Sequence, residues 1–408
     1  MTKNETVAIL GAGLQGALCA LELAERGCNI VLFDQNDTAL SEASLHNEGK
    51  VHLGYIYTND DLNRTAKLMA MNATLFTPYL ARWMPEDALT TSASSPFVYL
   101  VMKDSLLDPD TLEAKYAIVD EMVADGLRQP GHAYFGDTEI TRTHRLPKSQ
   151  WEGIYNEALV AAAFQTPERS VHLPIMAAGI RAALQDHPRI TCRWNARITA
   201  VSRASTGYIV HLEEGDAERG FGHVINALWG NRLKIDETLG IQTDRPFLLR
   251  RKVASYVTTP DPARILPSAT MVLGGFGDVV GYPDGRHYLS WYPTGCIDRT
   301  DRIDVPETWF HPLCDEEAAE VFNASIDALD QRVFGVRTMV DEASTPSMNP
   351  GIIFTWGCGD VDDLDSELHQ RFDVGPNTHW GSYHSVDTGK LSLAPHFAIM
   401  TADRIAPK

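Results

Sequence analysis

A single stretch near the start of the chain, Val7–Asp34, constrains the fold more than any other part of the sequence. It reads VAILGAGLQGALCALELAERGCNIVLFD: a short apolar run, a Gly-x-Gly-x-x-Gly turn, a helix-length segment, a second apolar run and an acid. This order predicts a strand, a helix and a strand, in which Gly11 permits the tight turn, Gly13 lets backbone approach a pyrophosphate and Gly16 allows close helix packing. Asp34 is placed to accept hydrogen bonds from a ribose, so the unit predicts a dinucleotide site, which FAD and NAD both fit. The predicted cofactor contacts here are Gly11, Gly13, Leu14, Gln15, Gly16, Asp34 and Gln35.

The charge of the chain limits its partners. Of 408 residues, 44% are hydrophobic and 22% charged, which is typical of globular proteins, and this length suffices for about two to three domain-sized cores. The formal net charge of -19 predicts no binding to nucleic acid, which requires clustered Lys and Arg. The polar start MTKNET lacks a basic, apolar leader and no apolar run reaches membrane-spanning length, so we expect a cytoplasmic protein without a transmembrane segment.

The cysteines and the acidic residues give no sign of a metal site. Neither a CxxC pair nor zinc-like spacing occurs, so we expect reduced thiols and no structural metal. The acidic loop at 360–363 lacks the calcium-loop pattern, and we interpret it as a solvated turn. The cysteines are Cys19, Cys28, Cys192, Cys296, Cys314 and Cys358.

The second informative stretch, residues 41–57, reads SEASLHNEGKVHLGYIY. Its glycines, Gly49 among them, let backbone approach a flat ring, and Asn47 supplies both donors and acceptors. His46 and His52 can orient or deprotonate a substrate, although a structural loop with buried histidines is the simpler interpretation. The stretch resembles the HNxGxxHxGxxY segment of L-2-hydroxyglutarate oxidases and dehydrogenases. More broadly, it is similar to the flavin-proximal loop of the D-amino-acid-oxidase superfamily.

The resemblance implies FAD as the cofactor. It makes His52 the first candidate for a base or a substrate contact, and His46, Asn47 and Gly49 candidates for contact with FAD. Some relatives attach FAD covalently to a histidine at a similar place, which extends to His46 as a minor alternative. The chain departs from the pattern in carrying Asp34 where FAD relatives usually carry Glu. Its C-terminal region also differs from that of the hydroxyglutarate enzymes, so that substrate is not carried over.

The middle of the chain is predicted to contain a small antiparallel meander and a return to the parallel sheet. Turn residues separate three predicted strands, at 190–194, 198–202 and 208–212. The apolar run that follows, His223–Asn231, resembles the vvNAaG segment found after the meander in flavoproteins with two dinucleotide-binding domains. This resemblance implies that Ala227 and Gly230 contact the cofactor.

Residues 246–300 change character toward antiparallel strands and a hairpin. In the superfamily such a sheet covers the flavin ring and carries substrate contacts, which makes its cations and tyrosines candidates to bind an anionic substrate. Arginine is suited to a bidentate carboxylate contact. The candidates are Arg250, Arg251, Lys252, Tyr288 and Tyr292, of which Arg251, Lys252 and Tyr292 are preferred.

The C-terminal region supplies the remaining candidates. Tyr383 and His384 stand behind His52 as catalytic residues. The turn Gly389, Lys390 and Leu391 precedes a predicted helix at 392–405. In the resembling family the N-terminus of this helix faces the flavin pyrimidine, so the resemblance implies that its dipole and Lys390 stabilise negative charge on the reduced ring.

Together these patterns predict a mixed α/β protein: a Rossmann-like FAD-binding domain with a central parallel sheet and a β-meander, and an interleaved antiparallel substrate domain. The expected function is an FAD-dependent oxidoreductase that takes a hydride from the CH–NH or CH–OH group of a small, carboxylate-bearing amine or hydroxy acid. Its partners would be that substrate and an electron acceptor such as oxygen or a quinone. The alternatives are a monooxygenase that uses FAD and NAD(P)H, and a non-catalytic redox module. The FAD-binding domain is predicted at 1–85, 166–245 and 346–408, and the substrate domain at 86–165 and 246–345.

Overall fold

Apolar runs separated by turn residues build two sheets with helices packed against them. The structure, a computed structural model, describes residues 6–60, 62–360, 363 and 366–408. The strands are β1 (Thr6–Leu10), β2 (Asn29–Phe33), β3 (Val98–Met102), β4 (His144–Arg145), β5 (Val160–Gln165), β6 (Ile190–Arg193), β7 (Ile198–Arg203), β8 (Tyr208–Leu212), β9 (Ala217–Asn226), β10 (Phe247–Thr258), β11 (Ala269–Val272), β12 (Gly277–Gly281), β13 (Arg286–Trp291), β14 (Cys296–Thr300), β15 (Ser347–Trp356), β16 (Gly375–His379) and β17 (Tyr383–Asp387). The helices are α1 (Leu14–Glu25), α2 (Arg64–Leu80), α3 (Glu86–Thr91), α4 (Pro109–Leu127), α5 (Leu173–Asp186), α6 (Arg232–Thr238), α7 (Tyr292–Gly295), α8 (Asp315–Asp330), α9 (Val336–Glu342) and α10 (Ala394–Ile405).

The first sheet has the strand order β16-β17-β9-β1-β2-β6. Strands β17, β9, β1, β2 and β6 run parallel, and β16 pairs antiparallel with β17. The meander consists of β7, β8 and the first half of β9, while the second half of β9 enters the parallel part of the sheet. Assigning 190–194 to the meander was wrong, because β6 pairs parallel with β2 at the edge of the main sheet.

The second sheet is mostly antiparallel, with the order β14-β10-β13-β12-β11-β3-β5-β4, and β15 also pairs with β10. The pairing of β3 with β11 is parallel. Strand β15 lies within 346–408 yet belongs to this second sheet, and the division of the chain into domains stays a prediction. The two sheets and their helices confirm the predicted mixed α/β class.

Helix α1 holds the first sheet and the helical layer together. Every residue from Leu14 to Ala24 is buried, and the helix packs between the sheet and α10. Leu18, Leu21 and Leu23 are fully buried, and each contributes about 2 kcal/mol to folding by leaving water. A helix buried on all sides is rigid, so it fixes the position of the glycine turn at its N-terminus.

The parallel strands bring the predicted cofactor residues to one edge. The carboxyl ends of parallel strands meet at the same side of a sheet, and a ligand binds in the crevice outside them. The residues after β1, β2, β9 and β17 therefore come together although they are far apart in sequence.

All six cysteines lie in the described part of the chain, and none forms a disulfide. None of the helices in the described residues combines the length and the apolar character needed to cross a membrane.

Candidate active site

A cavity of about 720 Å³ runs along this edge of the first sheet, from the glycine turn to the turn between β17 and α10. It brings together most of the residues that the sequence predicted. The predicted residues that line it are Gly11, Gly13, Leu14, Gln15, Asp34, Gln35, His46, Asn47, His52, Ala227, Gly230, Lys252, Tyr288, Gly389, Lys390 and Leu391.

The glycine turn has no room for a side chain at Gly11 or Gly16. Gly11 has a φ of +90°, and a Cβ added there would lie 2.9 Å from the Ala227 carbonyl oxygen. A Cβ on Gly16 would lie 1.9 Å from the Gly11 carbonyl oxygen, so this glycine lets α1 pack onto the turn. The backbone at Gly13 borders the cavity, as close approach to a phosphate requires.

The polar groups of this end fit FAD. Asp34 Oδ2 accepts a hydrogen bond of 2.7 Å from the Ala12 N–H, and Oδ1 accepts one of 2.9 Å from the Asn36 N–H. These bonds aim the carboxylate at the turn, and its remaining lone pairs are available to a ribose. Burial raises the pKa of Asp34, while the same hydrogen bonds oppose that rise. Gln15 Oε1 is buried and has no hydrogen-bond partner within the described residues, which leaves an acceptor for a bound cofactor.

The loop after β2 is held by its own side chains. Asn47 Oδ1 accepts a bond of 2.7 Å from the Gly49 N–H, and Asn47 Nδ2 donates one of 2.7 Å to the Ala43 carbonyl. His46 Nδ1 lies 3.2 Å from the Pro350 carbonyl oxygen. Asn47 therefore shapes the loop, and Gly49, at a φ of +69°, supports it without lining the cavity.

His52 lies deep in the cavity between two carboxylates. Its Nε2 is 3.5 Å from Glu48 Oε1, and its Nδ1 is 3.9 Å from Glu168 Oε1. Neither ring nitrogen has a hydrogen-bond partner among the residues that the structure describes. Burial lowers the pKa of His52, although Glu48 acts in the opposite direction. His52 is therefore neutral at pH 7 and has a nitrogen that can accept a proton.

A cluster of cations forms the end of the cavity opposite Asp34; we call Arg250, Lys252, Arg371 and Lys390 the cationic cluster. Lys252, Arg371 and Lys390 line the cavity, and Arg250 is buried near them. Within the described ranges, none of the four forms an ion pair with a carboxylate. The cluster therefore concentrates positive charge in a chain whose net charge is -19, and Glu48 is the acidic side chain that interacts with Lys390 and Lys252.

Hydrogen bonds to neutral groups orient the cluster. Lys252 Nζ donates to the Tyr288 hydroxyl over 3.3 Å, and Arg250 Nη1 donates to the Tyr292 hydroxyl over 2.6 Å. Arg371 Nη1 donates to the Phe354 carbonyl over 2.9 Å, while its Nε is buried without a partner in the described residues. These guanidinium groups retain donors for an anion, and arginine binds a carboxylate through two parallel hydrogen bonds.

The cations lower each other's proton affinity. Burial is the main reason that the pKa of Lys390 falls to about 8, with Arg371 and Lys252 adding to the fall and Glu48 opposing it. Burial likewise lowers the pKa of Arg371 to about 10. A bound anion would relieve this repulsion.

Seven predicted residues do not line the cavity: Gly16, Gly49, Arg250, Arg251, Tyr292, Tyr383 and His384. The Tyr383 hydroxyl donates to Asp236 Oδ1 over 2.7 Å, and His384 Nδ1 lies 2.9 Å from the Thr378 hydroxyl. Arg251 points to the opposite face of β10, where Nη2 donates to the His311 carbonyl over 2.6 Å. The Tyr292 hydroxyl accepts a hydrogen bond of 2.6 Å from Arg250 Nη1 and does not itself line the cavity.

The sequence missed Glu48 and Arg371. Glu48 stands inside the HNEGKVH segment, where the histidines drew attention, and Arg371 follows an acidic loop that shows no periodic pattern. Only the fold brings them beside Lys252 and Lys390.

The predicted acidic turn at 360–363 is described only in part, because residues 361 and 362 lie outside the described residues. In the rest of the chain as described, no group of three or more metal-binding side chains is arranged around a common point.

Comparison with known proteins places most of the chain in one sequence family. The sequence model of the family described as FAD dependent oxidoreductase (DAO) matches residues 6–360. The FAD-dependent monooxygenase FPY4 of Fusarium mangiferae is 25% identical over 236 residues, which are 57% of this chain and 51% of that protein. The chain thus spans about half the length of this curated relative.

Solved structures share the fold over nearly the whole chain. Glycine oxidase from Geobacillus kaustophilus has a TM-score of 0.70 at 15% identity, covering 99% of this chain and 95% of that chain. L-alpha-glycerophosphate oxidase from Mycoplasma pneumoniae, a structure with FAD bound, has a TM-score of 0.68 at 12% identity, with 99% and 95% covered. At such low identity these likenesses concern the fold alone.

Proposed function

Because the chain belongs to the FAD-dependent oxidoreductase (DAO) family, we propose that it oxidises the CH–NH or CH–OH group of a small, carboxylate-bearing amine or hydroxy acid. The observation that carries this proposal is the cationic cluster at the end of a cavity whose other end fits the dinucleotide. A buried anion-binding end beside the flavin site favours an acid as substrate. Charge-assisted hydrogen bonds to a carboxylate are about twice as strong as neutral ones.

The residues of the cavity divide the work. FAD, held by the glycine turn and Asp34, supplies the hydride acceptor when bound. Arg371 and Lys252 bind the substrate carboxylate and thereby fix the position of the adjacent carbon. We assign Lys390, which the resemblance placed at the reduced flavin, to the carboxylate as well, because it lines the cavity beside these two cations. His52, neutral and unpartnered in the described structure, takes the proton that leaves the amine or hydroxyl group. Glu48 and Glu168 flank the ring and stabilise the imidazolium that forms.

Anaerobic mixing tests this proposal. FAD-loaded protein is mixed without oxygen with small amino acids and hydroxy acids of both configurations, and the flavin absorbance at about 450 nm is followed. We expect at least one acid to bleach the flavin, and its methyl ester to fail. If no acid bleaches a flavin that sodium dithionite does bleach, the proposed reaction is wrong.

The binding of a carboxylate is expected to depend on pH through Lys390. Its pKa of about 8 means that it is charged at pH 7 and loses its proton as the pH rises. Because only the charged form attracts an anion, we expect the dissociation constant of 2,2-dimethylpropanoate to rise above about pH 8 and to level off about tenfold higher once Lys390 is neutral, since Arg371 still attracts the anion. The measurement is a titration of the flavin absorption at several pH values. Lys390→Arg should remove the inflection, and a flat profile in the unmodified protein would contradict the assignment.

A second candidate function is a monooxygenase, because the curated relative of Fusarium mangiferae is named as one. That reaction consumes NADPH and oxygen when its substrate is present. The two functions separate in one assay. Oxidation of NADPH that an added substrate accelerates, without bleaching by any acid under anaerobic conditions, would favour the monooxygenase.

A further inference from the structure

Glu48 is an acidic side chain placed against the cationic cluster. It lines the cavity and its side chain is 19% exposed, whereas His52 behind it is 3% exposed. Burial opposes its charge, but His52, Lys390 and Lys252 outweigh this and hold the pKa of Glu48 well below its ordinary value. Glu48 is therefore ionised and turned toward the space where the substrate lies in the proposed reaction.

The arrangement of charges complements a zwitterion. The cationic cluster can donate several hydrogen bonds to one anion. Glu48, which lines the same cavity, can accept a hydrogen bond from one cation. An α-amino acid carries both charges on adjacent atoms, whereas an α-hydroxy acid carries only the negative one. A hydroxyl group would take water from the Glu48 carboxylate without supplying an ammonium group in its place, which is costly in a buried site.

We propose that Glu48 binds the ammonium group of the substrate and so makes this enzyme select an amino acid over the corresponding hydroxy acid. This inference rests on the proposed function and narrows its substrate class. It assigns to Glu48 a specificity that neither the histidines nor the cationic cluster supply.

Through the same contact, the ammonium group can transfer a proton to Glu48 and then to His52. One N–H bond of the ammonium breaks as the proton moves to a Glu48 oxygen, and the proton then passes to His52 Nε2, 3.5 Å away. A new N–H bond forms on the imidazole, Glu48 is ionised again, and the substrate is left as a neutral amine. No oxidant takes part in this step. Glu168, fixed by the Leu53 N–H at 2.6 Å, stabilises the imidazolium from the other side.

A purely structural role for Glu48 would be to neutralise the cationic cluster. One carboxylate cannot balance four cations, and nearby Asp387 is already engaged, since Oδ2 accepts a bond of 2.7 Å from Trp356 Nε1 and lies 3.6 Å from Arg232. A neutralising residue would affect every bound acid alike. An ammonium-binding residue would affect only the acids that carry an amine.

Three inert ligands separate these roles. The acids 2-aminoisobutyrate, 2-hydroxyisobutyrate and 2,2-dimethylpropanoate differ in one substituent, and none has a hydrogen on the α-carbon that could be transferred. Their dissociation constants are measured at pH 7 on FAD-loaded protein from the shift of the flavin absorption. We expect the amino acid to bind at least about tenfold more tightly than the hydroxy acid.

Variants of Glu48 test the residue itself. Glu48→Gln should reduce the preference for the amino acid to within about threefold, and Glu48→Asp should keep most of it. Glu307→Gln is the matched control, because Glu307 lines the same cavity but pairs with Arg197 near the Asp34 end. Flavin content and the thermal midpoint of each variant report whether it folds.

The outcomes distinguish this inference from the function on which it rests. If 2,2-dimethylpropanoate binds but the hydroxy acid binds as tightly as the amino acid, the role of Glu48 is wrong and the carboxylate site stands. The same holds if Glu48→Gln keeps the full preference. If none of the three acids binds and no acid bleaches the flavin, the proposed function fails as well.

Discussion

Replacing Gly16 with alanine is expected to abolish the retention of FAD. The new Cβ would lie 1.9 Å from the Gly11 carbonyl oxygen, a distance at which the backbone must move. Helix α1 is buried on all sides, so the displacement falls on the turn that carries Gly11 and Gly13. We expect less than about a tenth of the flavin per protein molecule after gel filtration, because a misplaced turn loses several backbone contacts at once.

Gly27→Ala is the control for this change. Gly27 has a φ of +91° at the other end of α1, and nothing lies within 4 Å of a Cβ added there. This variant suffers backbone strain of about 1 kcal/mol but no collision, so it should keep its flavin. Equal flavin content in the two variants would show that the glycine turn does not hold the cofactor.

Replacing Arg371 with methionine is expected to weaken the binding of a carboxylate about 100-fold. Arg371 lines the cationic end and is 7% exposed, so it meets an anion with little competition from water. Two charge-assisted hydrogen bonds are worth about 3 kcal/mol together, which corresponds to this factor. The measurement is the dissociation constant of 2,2-dimethylpropanoate on FAD-loaded protein. Arg371→Lys should recover part of the affinity, since it keeps the charge and loses the planar fork.

Arg251→Met removes a buried arginine that faces away from the cavity. Arg251 is also 7% exposed, but its guanidinium bonds the His311 carbonyl on the other face of β10. We expect the affinity for the carboxylate to stay within about threefold of the unmodified protein, because the Arg251 charge lies on the other face of the strand and is balanced by Asp298 Oδ2 at 3.5 Å. Equal losses in Arg371→Met and Arg251→Met would remove the structural basis for the carboxylate site.

The local patterns of the sequence predicted residues that the fold brings to one cavity, and their contact with the dinucleotide stays a prediction. Between Val7 and Asp34 the strand, turn, helix and acid are contiguous, so local rules determine the geometry. The structure places Gly11, Gly13 and Asp34 along one cavity. Membership of an enzyme family also leaves no reason to favour a non-catalytic redox module.

The cationic end of the cavity was predicted less completely because it depends on contacts between distant segments. Lys252, Arg371 and Lys390 come from a sheet strand, an irregular segment and a helix-preceding turn, and no local pattern links them. The prediction that Arg251 and Lys252 both contact the substrate overlooked that successive side chains point to opposite faces of a strand. This alternation turns Arg251 away from Lys252.

Tyr383 and His384 illustrate the same limit. Their segment is rich in aromatic and histidine residues, which is typical of an active site. In the fold it is strand β17, pairing with β9, and both residues are fully buried. The Tyr383 hydroxyl bonds Asp236 and Asn226, so it stabilises the sheet and has no direct path to the cavity.

In the proposed enzyme, one cavity holds FAD at the glycine turn and an acid at the cationic cluster. A crystal structure of the FAD-loaded protein with 2-aminoisobutyrate tests it most directly. We expect the pyrophosphate at the N-terminus of α1, and the carboxylate oxygens at about 2.7 to 3.2 Å from the nitrogens of Arg371 and of Lys252 or Lys390. An acid bound elsewhere would contradict this arrangement. So would a flavin ring that fills the cationic end and leaves no room for the acid.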